Sequence, residues 1–469
     1  MSTYQIKLNL LTALHIGTGI ELSPLEYVIR DNVLHAFSTS RVVNSLDSET
    51  RQIFLKAIDQ NEWLTIRAII NEHATAYHDL YSIPVTEAVA KQYGLRKNDT
   101  DNQLLVKKIY RDPSSSTPVI PGSSIKGAMR TALVSELGLS LGNKDGLGDP
   151  RRHEQVVLGF NNAKVDPFRG LRIEDCAVLG KSTQKVDDFI HFKPQASQGN
   201  HFTSIQLFCE YLRGELDGGD SHGTFAMGIN LDWAKKGQLT YSLRDLFTAC
   251  NRFYVPHFQA ESERFYSSTG DSTLQGNINR LLERINKLNE NECLVRIGRF
   301  SHAENVTVDR FRDPKARKGW GKSRTLSESK LPLGWTIFSC SEKDLSASPN
   351  TLPDNSQYKD RIQLFPAPRY ENREKLHQSN HGEMKSSDQR STSRGQALAP
   401  GTVVKGKIHF IRPFGVNVWL DNGARGMVHK SRFHDKNVTS FKEGMEIKLR
   451  IIKVKANGEY ELDFFEPEN

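Results

Sequence analysis

The segment VIPGSSIKGAMRTAL, residues 119–133, limits the possible folds more than any other stretch of the chain. Its proline and glycine predict a turn, after which Ser123 is placed to cap a helix. The apolar residues that follow recur at helical spacing, so this helix should bury one face. Lys126 and Arg130 are four residues apart and should point the same way. With the helix amides they could hold a phosphate group, although an ordinary capped helix with solvated charges explains the same residues.

The same segment resembles the G-S-S-[LI]-K-G-x-x-R signature of the RAMP superfamily, the RNA-binding subunits of CRISPR effector complexes. This resemblance implies that the turn and the helix contact the backbone of a guide RNA. Two later stretches have counterparts in that superfamily. LRIED at 171–175 matches a strand that follows the helix, and VRIGR at 295–299 matches a glycine- and arginine-rich element.

The beginning of the chain is similar to one group within that superfamily. LTALHIGTG, followed by LEYVI and VLHAF, resembles the opening of the RAMP subunit that caps the 3′ end of the guide RNA in type III-A complexes. LPLGW at 331–335 resembles the ending of that subunit. Gly17 and Gly19 either satisfy positive φ or let RNA approach the backbone, and the resemblance favours the second explanation. His15 is a candidate general base, though a single histidine beside a loop more often packs or hydrogen-bonds.

Composition narrows the class of protein further. The 469 residues suffice for two or three domains, and a formal net charge of +8 fits a polyanionic partner. No apolar run approaches the length of a membrane span, and MSTYQIKLNL lacks the pattern of a signal peptide. The five cysteines are far apart and odd in number, which argues against a disulfide framework and a zinc site. We therefore expect a cytoplasmic protein with no cofactor, no metal and no membrane contact.

Hydrophobic periodicity predicts a mixed α+β domain over residues 1–345. Strands are predicted at 4–14, 169–178, 293–299 and 331–338, with one hairpin turning at 31–32 and another formed by strands 204–212 and 224–231. Helices are predicted within 40–80, from Ser123 to about Gly138, at 244–258 and at 277–288. Residues 138–155 are predicted to be an exposed loop. The RAMP resemblance implies a ferredoxin-like (RRM-like) fold with helical insertions.

A basic stretch lies late in this domain. Residues 296–330 contain ten Lys or Arg against four Asp or Glu, and Trp320 lies among them. An aromatic ring between cations suits single-stranded RNA, because the cations contact phosphates and the ring stacks on a base. A solvated loop without a ligand is the alternative.

The composition changes after residue 345, and the rest of the chain has two parts. Residues 346–399 are predicted to be a flexible linker, because a polar stretch with few aliphatic residues cannot bury enough surface to fold. Residues 400–466 show the alternation of five strands. Their G-x-V-x-x-G-x-I, F-G-V-x-V and G-x-V-H segments are similar to the ribosomal S-one type of RNA-binding domain, an OB-fold barrel.

That second resemblance implies binding of single-stranded RNA through aromatic rings and nearby cations. By position, Phe414 and His429 are the stacking candidates, with Lys407 and Arg432 close to them. Asn417 stands where the family usually has a second aromatic residue, so one stacking contact worth roughly 1–3 kcal/mol is missing. A barrel that contacts protein is the alternative.

The sequence offers candidate residues for catalysis as well as for binding. Metal-free RNA cleavage would pair His15 with Lys126, whereas metal-dependent cleavage needs clustered carboxylates, which the helix segment lacks. Related RAMP subunits carry a catalytic Asp after the first strand, and the comparable position here is Glu26. We predict a non-catalytic subunit that binds and caps the 3′ region of the guide RNA in a type III effector complex for antiviral defence. A guide-processing endoribonuclease and an RNA adaptor led by the barrel are the alternatives.

The predicted partners are guide RNA, with target RNA as a further candidate, and other RAMP subunits. The predicted RNA-binding residues supply turns, hydroxyls, cations or rings, and they are His15, Gly17, Gly19, Gly122, Ser123, Ser124, Lys126, Arg130, Arg296, Gly298, Arg299, Trp320, Lys322, Arg324, Lys407, Phe414, His429 and Arg432.

Overall fold

The computed structural model divides the chain into two compact units, Met1–Glu371 and Asn372–Asn469. The structure describes residues 2–99, 104–139, 150–180, 184–193, 201–203, 206–229, 241–267, 269–308, 323–355, 399–412, 415–421, 424–429, 432–433, 442, 444–454 and 460–465.

The first unit is built around several sheets. Its described strands, β1 to β17 in chain order, are Ser2–Leu10, Gly17–Leu22, Tyr27–Arg30, Val33–Phe37, Asp79–Pro84, Val106–Ile109, Val119–Ile120, Leu171–Ile173, Cys176–Ala177, Gln184–Asp188, Ile190–Lys193, His201–Thr203, Phe208–Leu212, His222–Ile229, Glu292–Arg296, Arg324–Leu326 and Trp335–Ser339. A five-stranded sheet has the order β15-β17-β1-β14-β8, and a four-stranded sheet has the order β10-β13-β6-β2. Smaller sheets are β12-β11-β16, β3-β4-β5 and β7-β9.

Helices cover these sheets. The described α-helices, α1 to α9, are Thr39–Ser45, Ser48–Asp59, Trp63–His73, Glu87–Arg96, Gly122–Gly138, Pro150–Leu158, Leu243–Glu261, Ser272–Asn286 and Glu342–Ser346. A π-helical turn, Ser262–Tyr266, extends α7. Helices α5 and α7 pack against each other and against strands of the five-stranded sheet, and together they bury the largest apolar cluster. The first unit is therefore the mixed α+β structure that the periodicity predicts.

Several local predictions are confirmed. β3 and β4 pair as an antiparallel hairpin, and Asp31 and Asn32 between them have φ of 50° and 58°, as a two-residue type I′ turn requires. The region 40–80 contains three helices, and α5 ends at Gly138. α7 contains the helix predicted at 244–258, and α8 overlaps the helix predicted at 277–288.

Other predictions are wrong in detail. The strands predicted at 204–212 and 224–231 do not form a hairpin, since β13 pairs with β10 whereas β14 pairs with β1. The segment between them crosses the end of β1, where the Leu216 amide donates to the Leu11 carbonyl oxygen at 3.0 Å. The predicted strand 169–178 is interrupted at residues 174–175, and helix α6 occupies the later part of the predicted loop 138–155.

Helix α5 begins differently from the prediction. Its N-cap is Pro121, and Ser123 lies within the first turn instead of capping it. The Gly122 amide donates to the Asp175 carboxylate at 2.7 Å, so a side chain remote in sequence satisfies the helix start. Gly122 is buried, and a Cβ there would lie 2.2 Å from the carbonyl oxygen of Ile173. The glycine is therefore required by close approach of the two backbones.

A buried ion cluster joins α7 to the strands beside it. The Glu261 carboxylate accepts a hydrogen bond from Arg296 at 2.6 Å and lies 3.1 Å from Nε of Arg324. Tyr266 donates its hydroxyl to the same carboxylate, and Arg324 also pairs with Glu304 at 3.2 Å. Burial would raise the pKa of Glu261, but the two guanidinium groups outweigh it and hold the pKa of this carboxyl far below its usual value.

Residues 346–355, the described start of the predicted linker, belong to the first unit and are hydrogen-bonded to its helices α5 and α7. Thr351 donates its amide and its hydroxyl to Asp245, and Asn355 donates to the Glu136 carboxylate at 2.8 Å. Both carboxylates are buried and need such partners. The remainder of the predicted linker up to residue 398 lies outside the described residues.

The second unit contains a closed barrel of order β18-β19-β20-β22-β21, as the sequence predicts. Its strands β18 to β22 are Val403–Arg412, Gly415–Leu420, Arg425–His429, Glu446–Val454 and Tyr460–Phe464. Alternate aliphatic residues fill the interior, among them Val416, Val418 and Leu420 of β19. The residues between them therefore face outward.

We predict that Gly122→Ala lowers the free energy of unfolding of the first unit by about 1–3 kcal/mol, because its methyl group would overlap the Ile173 carbonyl. Gly127→Ala is the matched control on the same helix. Apart from its chain neighbours and the backbone of its own helix, no atom lies within 4 Å of a Cβ there, so the change should stabilise the helix by roughly 0.5–1 kcal/mol. Urea unfolding followed by circular dichroism measures both. Equal effects of the two changes would contradict this account of the helix start.

We also predict that Glu261→Gln destabilises the first unit by about 3 kcal/mol at neutral pH, since it removes the counter-charge of the buried Arg296 guanidinium and leaves Arg324 with Glu304 alone. Glu263→Gln, two residues away and exposed, is the control and should have little effect. Because the folded state lowers the pKa of Glu261, its stabilisation is present above the unfolded pKa and disappears as the pH falls. The difference between wild type and Glu261→Gln should therefore shrink below about pH 4, near the unfolded pKa of Glu. A pH-independent difference would argue against the ion cluster as its source.

Candidate RNA-binding site

A groove of about 440 Å³ brings together three of the segments that the sequence singles out. Ile16 and Gly17 belong to residues 16–19, which we call the glycine loop and which run into β2. Ser123 and Ser124 lie in the first turn of helix α5. Arg296 ends β15, and residues 297–299 form the Gly-Arg turn after it. Residues 301, 305 and 306 complete the lining. The glycine loop, the helix start and the Gly-Arg turn are remote in sequence, yet they line one open surface.

The helical wall of the groove is made of small residues. Ser123, Gly127 and Thr131 recur every four residues, with Ser124 and Ala128 beside them. This spacing places them on one face of α5. The opposite side of the same helix is buried in the core through larger residues such as Met129 and Leu133. A wall without long side chains allows a ligand backbone to approach the helix closely.

Two turns are locked together beside this wall. The Arg299 amide donates to the His15 carbonyl oxygen at 2.9 Å. Gly298 has φ of +94°, and a Cβ there would lie 2.6 Å from the Leu14 side chain and 2.8 Å from that carbonyl oxygen. Only glycine satisfies both the backbone angle and the contact. The Gly-Arg turn is therefore held in position by the residues that precede the glycine loop.

Arg299 is the exposed cation of the groove. Among the described residues that line it, Arg296 is the other cation, and its guanidinium is buried in the cluster with Glu261. No described carboxylate forms an ion pair with Arg299. A charged group that is exposed and held by its own backbone is suited to contact a phosphate.

Lys126 and Arg130 lie on one face of α5, as predicted, but that face is not the groove wall. The Lys126 ammonium donates to the Leu171 carbonyl oxygen at 2.7 Å, and burial lowers the pKa of Lys126. Arg130 pairs with Glu154 at 2.8 Å and with Asp166 at 2.9 Å. Both cations thus have partners within the fold, and their predicted contact with RNA stays a prediction.

His15 lies beneath the glycine loop. Its Nδ1 donates to the Glu210 carbonyl oxygen at 2.7 Å, so Nε2 carries no proton. Nε2 is buried, accepts no hydrogen bond from a described residue, and would lie 2.8 Å from a Cβ at Gly17. Burial lowers the pKa of His15 to about 4. The imidazole is therefore neutral near pH 7 and supports the loop from below.

The remaining predicted residues of the first unit have separate places. Gly19 is exposed with φ of +82°, which accounts for the glycine. Arg324 is buried against Glu261 and Glu304, with its guanidinium 3.7 Å from the centre of the Phe265 ring. Trp320 and Lys322 lie outside the described residues.

On the barrel, Lys407 lies in β18, His429 lies in β20 and Arg432 follows β20. His429 is exposed at the end of β20, directly across from Gly415. Lys407 pairs with Glu446 at 3.1 Å, and Arg432 pairs with Glu461 at 3.2 Å. Phe414 lies outside the described residues.

Two contributions to the site escaped the sequence analysis. Asp175 anchors the start of α5. The LRIED segment that contains it is recognised in the sequence, but the sequence assigns Asp175 no role. The small-residue wall was also missed, although the spacing of Ser123, Gly127 and Thr131 is visible in the sequence.

No helix among the described residues is long and apolar enough to cross a membrane. The described part of the chain also contains no group of three or more His, Cys, Asp or Glu side chains placed to hold a metal ion. Its five cysteines are free and buried.

Curated proteins from two organisms are similar to parts of the chain. The CRISPR system Cms protein Csm5 of Methanocaldococcus jannaschii is 33% identical over 138 residues, which are 28% of this chain and 30% of the relative. The CRISPR system Cms endoribonuclease Csm3 of Enterococcus italicus is 33% identical over 81 residues, which are 17% of this chain and 36% of the relative. The matched region thus spans about a third of each curated relative.

A solved structure and two family models extend the comparison. A chain in the cryo-EM structure of a Csm-crRNA-target RNA ternary complex of a type III-A CRISPR-Cas system is 18% identical, with a TM-score of 0.52. The match covers 72% of this chain and 100% of that one, and it shows a shared fold. The S1 RNA binding domain matches residues 398–461, and the RAMP superfamily matches residues 7–327, more than half of the chain. The protein therefore belongs to the RAMP superfamily.

Proposed function

We propose that this protein is a subunit of a type III CRISPR effector complex that binds and caps the 3′ region of the guide RNA. The observation that carries the proposal is the groove, in which the glycine loop, the small-residue wall of α5 and Arg299 meet on one surface. Such a surface offers close backbone approach and one cation, which suits a sugar-phosphate backbone and not a particular base. Similarity to Csm5 supports the same role, which would be exercised in the cytoplasm beside other RAMP subunits.

The geometry favours binding over catalysis. A general base must reach the proton that it removes, whereas Nε2 of His15 is covered by Gly17 and faces no open groove. Glu26 accepts the Ser23 amide at 2.9 Å and so closes the turn before β3. Neither residue is arranged to act on a phosphodiester, which supports a subunit that holds RNA without cutting it.

We further propose the division of labour between the domains. Residues 1–345 form the guide-binding domain, in which the strands beside α5 and α7 form a ferredoxin-like core with helical insertions. Residues 346–399 connect it to the barrel of residues 400–466. The barrel follows single-stranded RNA that protrudes beyond the cap, and the two family matches, which fall on either side of this connection, support the boundaries.

We predict that Arg299→Ala lowers the affinity of the full chain for single-stranded RNA about tenfold, the usual cost of a lost charge-assisted hydrogen bond. The dependence of log K on log salt should also become shallower by about 0.7, corresponding to one phosphate contact. Lys343→Ala removes the same charge from exposed helix α9, outside the groove, and should change neither quantity. Fluorescence anisotropy with a labelled oligoribonucleotide of mixed sequence measures both. If the two changes had equal effects, Arg299 would contribute to RNA binding only through the net charge of the protein, and the contact in the groove would be refuted.

The place of the protein in an effector complex is tested in the native host. We predict that a tagged full-length chain co-purifies with short RNAs that share a repeat-derived 5′ end, together with other RAMP subunits. Sequencing the bound RNA and identifying the bound proteins in one preparation measures this. Ribosomal or mixed messenger RNA without RAMP partners would refute the proposal and favour an adaptor led by the barrel.

A further inference from the structure

An aromatic residue on the barrel was not among the predicted RNA contacts. Trp419 lies on β19, and its side chain faces outward because its neighbours Val418 and Leu420 are buried in the core. It remains half-buried, since other side chains of the outer face lie against it. The interior of the barrel is complete without this ring, so core packing does not explain it.

Two polar side chains flank the indole. The guanidinium carbon of Arg425 lies 4.6 Å from the centre of the Trp419 ring. The His409 ring centre lies 6.0 Å away with its plane tilted by 62°. We call these three residues the Trp419 cluster.

Strand register places further charge beside the cluster. In the antiparallel pairs, Trp419 stands opposite Lys407 of β18 and opposite Arg425 of β20. The ring is thus bracketed by a cation on each neighbouring strand, with the exposed side chain of Lys405 further along β18. Lys407 also pairs with Glu446, but both side chains stay largely exposed, and such surface pairs are weak.

A hollow of about 180 Å³ opens at this point of the barrel. The residues that line it include His409, Asn417, Trp419, Arg425 and Met427. The hollow is bounded by ring and guanidinium planes, and it is large enough for one planar ring. Asn417 forms its edge at the very position where an aromatic residue is missing.

We propose that the Trp419 cluster is a stacking site for one base of single-stranded RNA. The base lies on the indole and the Arg425 guanidinium, two residues or about 7 Å along β19 from Asn417. Lys405 and Lys407 meet the adjoining phosphates. The inference deepens the RNA-binding role proposed for the barrel and rests on it.

The charge pattern selects nucleic acid over a protein partner. An apolar peptide would need an aliphatic surface, whereas the positions that bracket Trp419 carry cations. Stacking on a ring next to phosphate-binding cations is how proteins hold single strands with little sequence preference. The site would therefore accept any base, with discrimination left to other contacts.

The test uses the full chain and a fluorescein-labelled oligouridylate, with binding followed by anisotropy. Trp419→Ala should weaken binding about tenfold, the usual effect of removing one stacking ring. Trp419→Phe keeps a ring and should bind within about threefold of wild type. Arg425→Ala changes an exposed side chain outside the core and should weaken binding severalfold. This second variant tests the site even if Trp419→Ala disturbs the folding of the barrel.

The outcomes separate this inference from the proposed function. Wild-type affinity in both Trp419→Ala and Arg425→Ala would overturn the stacking site, whatever Arg299→Ala does. Loss of binding in Trp419→Ala together with wild-type affinity in Arg299→Ala would keep the stacking site and overturn the groove. Unchanged RNA affinity in Trp419→Ala with loss of a co-purified protein would show that the cluster is a protein contact, and it too would overturn the proposal.

Discussion

The groove depends on one buried carboxylate. Glu261 ends helix α7, and its two oxygens hold the guanidinium groups of Arg296 and Arg324 and the hydroxyl of Tyr266. Arg296 is the last residue of β15, directly before the turn that presents Arg299. The Arg296 guanidinium also donates to the Leu333 carbonyl oxygen at 2.9 Å. A charge placed deep in the core thus fixes the direction in which a surface loop leaves the sheet.

Two arginines that the sequence predicts as RNA contacts have a structural use. Arg130 and Arg324 bind carboxylates of their own chain and stack on Phe168 and Phe265, so they organise the fold. In a sequence such arginines resemble ligand contacts, because residue type and spacing do not show which carboxylate each arginine pairs with in the fold. In this chain, therefore, Arg130 and Arg324 are basic residues whose described partners belong to the fold.

Local chemistry was sufficient to predict much of the fold. The Asp31-Asn32 hairpin, the end of α5 and the alternation of the barrel strands follow from nearest neighbours in sequence. What could not be predicted depends on distant partners. Asp166, which is 36 residues from Arg130, decides which way that side chain turns, and Asp175 replaces the cap expected from Ser123. Likewise, β13 and β14 join different sheets because the intervening segment crosses the end of β1, a contact that no periodicity encodes.

Burial protects the cysteine thiols from oxidation and alkylation. Burial raises the pKa of Cys176 to about 12 and that of Cys340 to about 11, and it also raises the pKa of Cys293 well above its usual value. Few thiolates exist at neutral pH, so oxidation and alkylation require the sheet to open first. Cys293 lies in β15, the strand that leads to the Gly-Arg turn. The rate at which a thiol reagent modifies Cys293 therefore reports how often the sheet beneath the groove opens, and no probe has to be attached to the protein.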